Sequence, residues 1–341
     1  MKRLSFISLS ACLLLSPAMS PLRAQTGRTA YDFLDIPTSS HAFGMGGSGL
    51  AIIDDDVELA GQNPALIGPE LEKQLSFSYM HYMAGGNFAG LRYGMAAGDR
   101  AAWAFGIRYL NYGSIDGYLP DGTATGSFSP QDVVAEGSFS HDITDRLRGG
   151  INLKMVYSNY DRYSAFAMGA DLGINYYNEE SDLSLSVVLA NMGGQLKRFH
   201  ETHDPLPFDI RIGYMQGLGS SPFSLAITAR HLNHWKLPYY THPKDGSEPS
   251  ELKSTFFSNL FRHLTFGLQY APNDRFYLDL AYNYKTRTDM SAYQRNFLSG
   301  FSVGMGLKVK AFRFGVAYAM PHKSASSLML NLGMNFAELI N

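Results

Sequence analysis

The feature that most constrains this fold is a two-residue alternation of apolar and polar side chains, which recurs from about residue 75 to the C-terminus. In the last alternating segment, SLMLNLGMNF, Leu328, Leu330 and Leu332 share one face, and the other carries Met329 followed by the small or polar residues Asn331, Gly333 and Asn335. The segment GFSVGMGLKVK repeats the pattern. Because successive side chains of a strand point to opposite faces, each segment predicts a β-strand with one apolar face.

The number of alternating segments and the lengths of their connections predict a membrane barrel. About fourteen segments begin near residues 75, 87, 101, 132, 147, 164, 181, 208, 221, 263, 275, 298, 312 and 327. The short turns AGDR, HDITDR, NEES, LGSS, APND and KA alternate with connections that include four long ones, at about 113–131, 192–207, 231–262 and 286–297. Outer-membrane barrels have an even strand number, short periplasmic turns and long outer loops, whereas a soluble β-sandwich has no reason to show this parity.

These patterns predict an all-β fold, a fourteen-stranded antiparallel transmembrane β-barrel at residues 74–341. It is expected in the cell outer membrane, with long loops extracellular and with the plug and termini toward the periplasm. No apolar run after the N-terminal region approaches the roughly twenty residues that a membrane helix needs. Fourteen strands enclose a lumen too wide for wall side chains to fill. Residues 25–73, which lack strand alternation, are therefore the predicted N-terminal plug, or hatch.

The N-terminus has the form of a secretory signal peptide, predicted at residues 1–24. Lys2 and Arg3 precede an apolar run, and cleavage is expected after Ala24. The alternative is lipidation at Cys12, the only cysteine, but apolar residues continue beyond it. Cleavage removes this cysteine and with it any disulfide or thiolate site. The 28 basic and 30 acidic residues give no basic excess, so no nucleic-acid partner is predicted.

The stretch GMGGSGLAIIDDDVE, at residues 44–58, contains the G-x-G-x-x-G pattern of dinucleotide-binding loops. Such a loop needs a preceding strand and an acidic residue about twenty positions later. Here a proline and a polar cluster precede Gly44, and Asp54–Asp56 come too early. The glycines instead favour close packing and positive φ within the plug, and the following GQNPALIGPE is rich in turn residues.

The sequence AFGMGGSGLAIIDDDVELAGQNPAL resembles the N-terminal hatch of the FadL-like outer-membrane barrels, a fatty-acid-transporter family. The resemblance rests on the double glycine Gly46 and Gly47 and on Asn63, Pro64 and Ala65, which it assigns as the plug motif. It implies a fourteen-stranded barrel with an N-terminal plug, in agreement with the strand count.

Within that family the chain is most similar to the PorQ-like barrels of the type IX secretion system. AYDFLDIPTSSHAFGMGG at residues 30–47 and DPLPFDIRIG at residues 204–213 carry this closer resemblance. It implies a non-enzymatic component of the attachment complex, which anchors a surface-exposed PorZ-like protein for cargo modification and attachment to the cell surface. Outer-membrane lipid, a sortase and a shuttle barrel are further implied partners. The alternative is a FadL-like transporter of hydrophobic small molecules.

Three groups of side chains resemble reactive or metal-binding sites, but a simpler interpretation is favoured for each. HETH at residues 200–203 offers two histidines without an evident third ligand, and the prolines that follow oppose a helix. Asp54–Asp56 lacks the spaced oxygens of a calcium loop. No local signature of a hydrolase accompanies the inward-facing acids and hydroxyls, which are Glu136, Asp171, Asp279, Ser184 and Ser186. No catalytic residue, metal or cofactor is therefore predicted.

Basic side chains on the inward faces are expected to pair with these acids or with plug carboxylates. They are Arg92, Arg108, Arg211, Arg230, Lys308 and Lys310. Such pairing would hold the plug in place.

The outer connection from about His231 to Arg262 is the candidate partner-contact loop. It contains Trp235, Tyr239 and Tyr240 together with prolines, which limit the conformational entropy lost on binding.

Overall fold

Backbone hydrogen bonds join fourteen strands into a closed antiparallel cycle in which every strand pairs with two neighbours. The computed structural model describes residues 29–71, 73–82, 85–119, 121–201, 203–237, 255–289, 297–322 and 325–340. The strands of the barrel are β1 (Gln74–His81), β2 (Asn87–Ala96), β3 (Ala101–Asn111), β6 (Gln131–Thr144), β7 (Leu147–Tyr160), β8 (Tyr163–Asn178), β9 (Leu183–Lys197), β10 (Asp209–Gly217), β11 (Phe223–Ala229), β12 (Leu264–Asn273), β13 (Phe276–Asn283), β14 (Phe301–Val309), β15 (Phe312–His322) and β16 (Ala325–Asn335). A separate hairpin is formed by β4 (Ile115–Tyr118) and β5 (Ala124–Phe128).

The first and last strands close the barrel. β1 and β16 pair antiparallel, from Gln74 opposite Asn335 to His81 opposite Leu328. The predicted count of fourteen strands is confirmed, and each strand begins within three residues of its predicted start. Alternation is a local property of the sequence, so it locates strands well even where their pairing partners are distant.

Apolar side chains face out from the barrel and polar ones face in. On β13, Leu278 and Leu280 are 44% and 45% exposed, whereas Asp279 between them is fully buried. This inversion of the usual arrangement suits a wall that stands in lipid, where a closed sheet leaves no backbone group unpaired. Among the residues described, no helix is both long and apolar enough to cross a membrane.

The connections differ at the two ends of the barrel. Gln74 and Asn335 lie at the end that carries the short turns, which we call the short-turn end; the opposite end is the long-loop end. The hairpin β4–β5 and the helices α2 (Phe256–His263) and α3 (Tyr284–Asp289) belong to long connections and were not expected from the sequence. There are two further short helices. In sequence, α1 (Ser40–Gly44) precedes the first barrel strand and α4 (Phe336–Ile340) follows the last.

The N-terminal segment, residues 29–71, lies inside the barrel. Its backbone carbonyl oxygens accept hydrogen bonds from inward side chains around the wall: Gly44 from Ser302 at 2.8 Å, Ile67 from Ser140 at 2.7 Å and Thr38 from Asn331 at 3.1 Å. The donors belong to β14, β6 and β16, so the segment spans the lumen. The predicted signal peptide, residues 1–24, lies outside the described residues and stays a prediction.

Candidate functional site

A cavity of about 240 Å³ lies at the long-loop end, between the N-terminal segment and the wall. Ile36, Pro37 and Phe43 of the segment form one side, and Phe301 and Ala319 belong to the opposing strands β14 and β15. These walls are mostly apolar, so the cavity suits a small hydrophobic molecule.

One edge of the cavity is charged. Asp35 of the segment pairs with Arg211 and, at 2.9 Å, with Arg230, and Asp209 accepts from Arg211 Nε at 2.8 Å. Burial opposes the charge on Asp35, but the two guanidinium groups outweigh burial and hold the pKa of Asp35 well below its usual range. Asp35 and Arg230, which line this edge, are therefore already engaged in ion pairs.

The predicted plug glycines also line this cavity. Gly46 and Gly47 have φ values of 82° and 81°, which few residues other than glycine adopt without strain. A side chain at Gly46 would overlap the methyl group of Thr265 on β12. The double glycine thus reverses the chain after α1 and lets it approach the wall closely.

The predicted Asn-Pro-Ala motif forms a turn that docks on the wall. Asn63 Oδ1 accepts from the amide of Ala65 at 3.0 Å, while Asn63 Nδ2 donates to the carbonyl of Leu50 and to Ser186 Oγ on β9, both at 3.0 Å. Pro64 starts a single 3₁₀ turn, Pro64–Leu66. All three residues are buried. Asn63 therefore uses both atoms of its amide, one to build the turn and one to attach it.

Two wall glycines that the sequence analysis did not single out receive this turn. A methyl group at Gly173 of β8 would overlap Asn63 Oδ1, and one at Gly150 of β7 would overlap the carbonyl of Pro64. Both glycines lie on the inward face of their strands, where the alternation alone indicated only small residues. The contact joins positions about a hundred residues apart, so no local pattern could have revealed it.

A buried network of charges joins the segment to the wall near β2, β3 and β6. Arg92 Nε lies 3.3 Å from Glu58 of the segment, and Arg92 also pairs with Glu136. Arg108 Nη2 lies 2.5 Å from the other oxygen of Glu136. Glu58, Arg92, Arg108 and Glu136 are all at most 5% exposed. The predicted pairing of inward cations with wall acids and segment carboxylates is present here.

A second charged network surrounds His41 of α1. Its Nδ1 lies 3.0 Å from Asp54 and its Nε2 lies 3.6 Å from Asp279, and the ring stacks on Tyr277 with centroids 3.8 Å apart. Arg313 of β15 binds Asp54 at 2.7 Å. Asp54, one of the three consecutive aspartates considered above as calcium ligands, thus pairs with two side chains of the protein.

The remaining candidate residues lie apart from the cavity. His200 and His203 are exposed, and Ser184 and Ser186 accept hydrogen bonds from Asn175. Lys308 lies 3.7 Å from Asp55, whereas Lys310 is exposed in the turn between β14 and β15. Within the described part of the chain, no three His, Cys, Asp or Glu side chains are grouped so as to hold a metal ion.

The candidate partner-contact loop is only partly described. Trp235 is 47% exposed at the long-loop end, where its ring stacks on His263 with centroids 5.3 Å apart. Tyr239 and Tyr240 lie outside the described residues.

A second, open cavity of about 1470 Å³ lies on the other side of the segment, at the short-turn end. Charged residues such as Asp55, Glu70, Arg148 and Lys308 line it. The N-terminal segment therefore separates a small, mostly apolar cavity from a large polar vestibule.

These features define a fourteen-stranded barrel of the outer-membrane type with an occupied lumen.

No family model and no curated protein matches the sequence. Among solved structures, the toluene transporter TbuX of Ralstonia pickettii superposes with a TM-score of 0.51 at 13% identity, over 88% of this chain and 96% of that chain. The toluene transporter TodX of Pseudomonas putida gives 0.52 at 11% identity, over 90% and 98%. A Pseudomonas aeruginosa FadL homologue gives 0.49 at 10% identity, over 88% and 98%.

The first two similarities show that this chain shares the fold of those barrels. The fourteen-stranded barrel implied by the FadL-like resemblance is therefore confirmed, while the plug role of the N-terminal segment and the closer resemblance stay predictions. Both of these similar proteins are transporters by name.

The docking of the Asn-Pro-Ala turn generates a first prediction. Gly173→Ala should weaken the docking of the N-terminal segment by about 1–3 kcal/mol, because the new methyl group overlaps Asn63. We expect faster amide hydrogen exchange at residues 57–67, measured by mass spectrometry. The matched control is Gly137→Ala, because a methyl group there approaches nothing closer than 3.9 Å. Equal exchange in the two variants would contradict the assigned contact.

The charges of the segment generate a second prediction. Burial raises the pKa of Glu58 from 4.5 to about 7, although Arg92 opposes the rise. Burial lowers the pKa of His41, but Asp279 and Asp54 outweigh burial and raise it above 6.5. Both groups bind protons more tightly when the segment is docked, so docking weakens as pH rises from 4.5 through 7.

The corresponding measurement is amide exchange at residues 38–62 across that pH range, corrected for intrinsic rates. We expect protection to fall with rising pH in the natural chain and to fall less in Glu58→Gln. The low pKa values of Asp35 and Asp54 affect stability only below their ordinary range, outside this window. Protection that rises with pH would show that Glu58 is stabilised in its charged form.

Proposed function

We propose that this chain is an outer-membrane barrel, plugged by its N-terminal segment, that binds small hydrophobic molecules at the long-loop end and admits them past the segment. The observation that carries this proposal is the mostly apolar cavity of about 240 Å³ beside Gly46 and Gly47. An apolar cavity of about 150 Å³ is enough to hold benzene, so this one has room for a substituted aromatic ring. The long loops would face the cell exterior, where such molecules arrive.

The fold supports the same proposal. TbuX and TodX, which share it, are toluene transporters. Transfer would lead from the cavity to the polar vestibule at the short-turn end, and the segment lies between them. The segment must therefore shift for a molecule to pass, and its hydrogen bonds and ion pairs set the cost of that shift.

A substitution that fills the cavity tests this proposal. Ala319→Phe places a ring in the space that the ligand needs, so we expect binding of toluene to weaken roughly tenfold or more, or about 1.4 kcal/mol. Radiolabelled toluene is measured by equilibrium dialysis against the protein in nanodiscs, with empty nanodiscs subtracted.

The matched control is Ala89→Phe, which adds the same ring to the outward face of β2 near the same end. The control should bind toluene as the natural chain does. Equal binding by all three proteins, or binding by none, would refute a hydrophobic site in this cavity.

A second candidate is the surface anchor of the type IX secretion attachment complex that the PorQ-like resemblance implies. The observation that favours it is the occupied lumen, in which ion pairs tie the segment to β2, β10 and β15 and to Arg230, directly after β11, and leave the outer end as the accessible surface. The hairpin β4–β5 presents exposed apolar side chains there, with Tyr118 at 64% and Leu119 at 49%. A PorZ-like partner would bind such a surface through its aromatic groups.

Affinity isolation from solubilised outer membranes tests the anchor. If the hairpin holds the partner, the double variant Tyr118→Ser and Leu119→Ser should lose a surface protein that the natural chain co-purifies, as identified by mass spectrometry. Ile143→Ser is the matched control, because Ile143 is 57% exposed at the opposite end of the barrel. Recovery of the barrel alone from every sample would count against a stable anchor.

A further inference from the structure

Helix α2 carries polar side chains on its buried side and aromatic side chains on its exposed side. Asn259, Arg262 and His263 are 3%, 2% and 2% exposed, whereas Phe256 and Phe257 are 63% and 69% exposed. A helix that faces water has the opposite arrangement, with its apolar side packed on the protein. The sequence of α2 therefore suits surroundings that are less polar than the protein beneath it.

The polar side of α2 is held by specific hydrogen bonds. Arg262 donates to Thr288 at 2.6 Å and to Asp289 at 2.7 Å, both on α3. The two ring nitrogens of His263 lie 2.7 Å and 3.0 Å from the carbonyl oxygens of Arg230 and Trp235. Turning the aromatic side inward would break these bonds, so the orientation of the helix is fixed.

The aromatic side of α2 continues the outward face of the barrel. The ring of Phe261, which is 43% exposed, lies 6.0 Å from that of Phe266 on β12. Phe266 points outward, since the adjacent Thr265 and Gly267 are buried. Trp235 extends the same surface, with its ring 5.4 Å from that of Phe256. We call Trp235, Phe256, Phe257 and Phe261 the aromatic helix surface.

The strands on either side of β12 are too short to span a bilayer alone. β11 has seven residues and β13 has eight, whereas a spanning strand needs about 9–11 residues and β12 between them has ten. Seven residues at about 3.4 Å each, tilted by about 45°, reach roughly 17 Å across an apolar band of about 25 Å. By contrast, β6 to β9 have 14 to 16 residues. The missing height lies at the long-loop end, where α2 directly precedes β12.

We propose that the aromatic helix surface faces lipid, so that α2 completes the barrel wall above β11–β13 and binds the acyl chains of the leaflet at the long-loop end. A helix satisfies its own backbone hydrogen bonds, which makes it one of the few elements that lipid tolerates. The N-terminus of α2 is also satisfied, since Thr255 accepts from the amide of Ser258 at 3.2 Å. This proposal assigns Trp235 to lipid contact and not to the partner-contact loop.

Tryptophan fluorescence provides the test, because the chain contains only two tryptophans, Trp103 and Trp235. Trp103→Phe leaves Trp235 as the sole reporter. The full chain is reconstituted into phosphatidylcholine vesicles whose acyl chains are either brominated or unmodified. We expect Trp235 to lose intensity in brominated vesicles and to be insensitive to iodide in the aqueous phase.

The matched control is Trp235→Phe, which leaves Trp103 on the outward face of β3, where it is 41% exposed. Trp103 should be quenched by brominated lipid and not by iodide. Heat-modifiable migration on a gel confirms that each variant is folded. Quenching of Trp235 by iodide alone would show a water-facing surface, open to a protein partner, and would overturn the proposal. Protection of Trp235 from both quenchers would overturn it too, because the ring would then be covered by protein.

The phenylalanines provide an independent variant. In the Trp103→Phe background, changing Phe256 and Phe257 to serine makes the helix surface polar while leaving its inner hydrogen bonds intact. If lipid covers this surface, the variant should lose part of the quenching by brominated acyl chains and gain quenching by iodide. Unchanged quenching by both agents would contradict a lipid contact made through α2.

Discussion

The rest of this structure depends on the need to pair every backbone amide and carbonyl where no water can reach. A sheet meets that need only by closing on itself, and the pairing of β1 with β16 supplies the closure. Closure fixes which side of each strand faces lipid. It also creates a lumen that the inward side chains of fourteen strands cannot fill. The polar inner face and the N-terminal segment are therefore two consequences of one constraint.

The segment fills the lumen through polar contacts as well as through apolar packing, in which residues such as Tyr31 and Ile36 join a buried cluster with Phe88 and Val134 of the wall. Asn63 attaches one turn to Ser186, and Ser302 and Ser140 donate to segment carbonyls, so short polar side chains on the wall take the place that water would otherwise occupy. Charged pairs such as Arg92 with Glu58 lie in the same buried layer. Buried polar groups are costly unless they are paired, so a segment held in this way has few alternative positions.

The parts of the fold that sequence predicts are those with a local signal. The strands of the barrel follow from alternation within ten residues, and the double glycine and the Asn63–Pro64 turn follow from backbone preferences. The wall positions on which the segment docks cannot be predicted in this way, because Gly173 and Asn63, which are in contact, are more than a hundred positions apart in the chain. The cavity also depends on parts of the chain that are distant in sequence, since its sides come from the segment and from strands near the C-terminus. Helix α2 was not predicted for another reason. Its amphipathic pattern is typical of a helix, but the pattern lies inside a long connection between strands that is assigned as a loop.

The wall cations that pair with the segment differ in whether they would keep a partner if the segment left the lumen. When the segment leaves, Arg92 keeps Glu136, Arg211 keeps Asp209 and Arg148 keeps Asp142, because each of these wall cations also pairs with a wall acid. Arg313 differs, since both of its ion pairs are made with the segment, through Asp54 and Asp55. Leaving a charge without its partner is costly where the charge is buried, and the 20% exposure of the Arg313 side chain lets water offset part of that cost. Asp35 and Arg230 border the cavity at the long-loop end, and Asp54 borders the vestibule at the other end. Both ends of the segment are therefore tied to the wall by ion pairs, and Arg313 at the short-turn end is a wall cation whose ion pairs, among the described residues, are made with the segment.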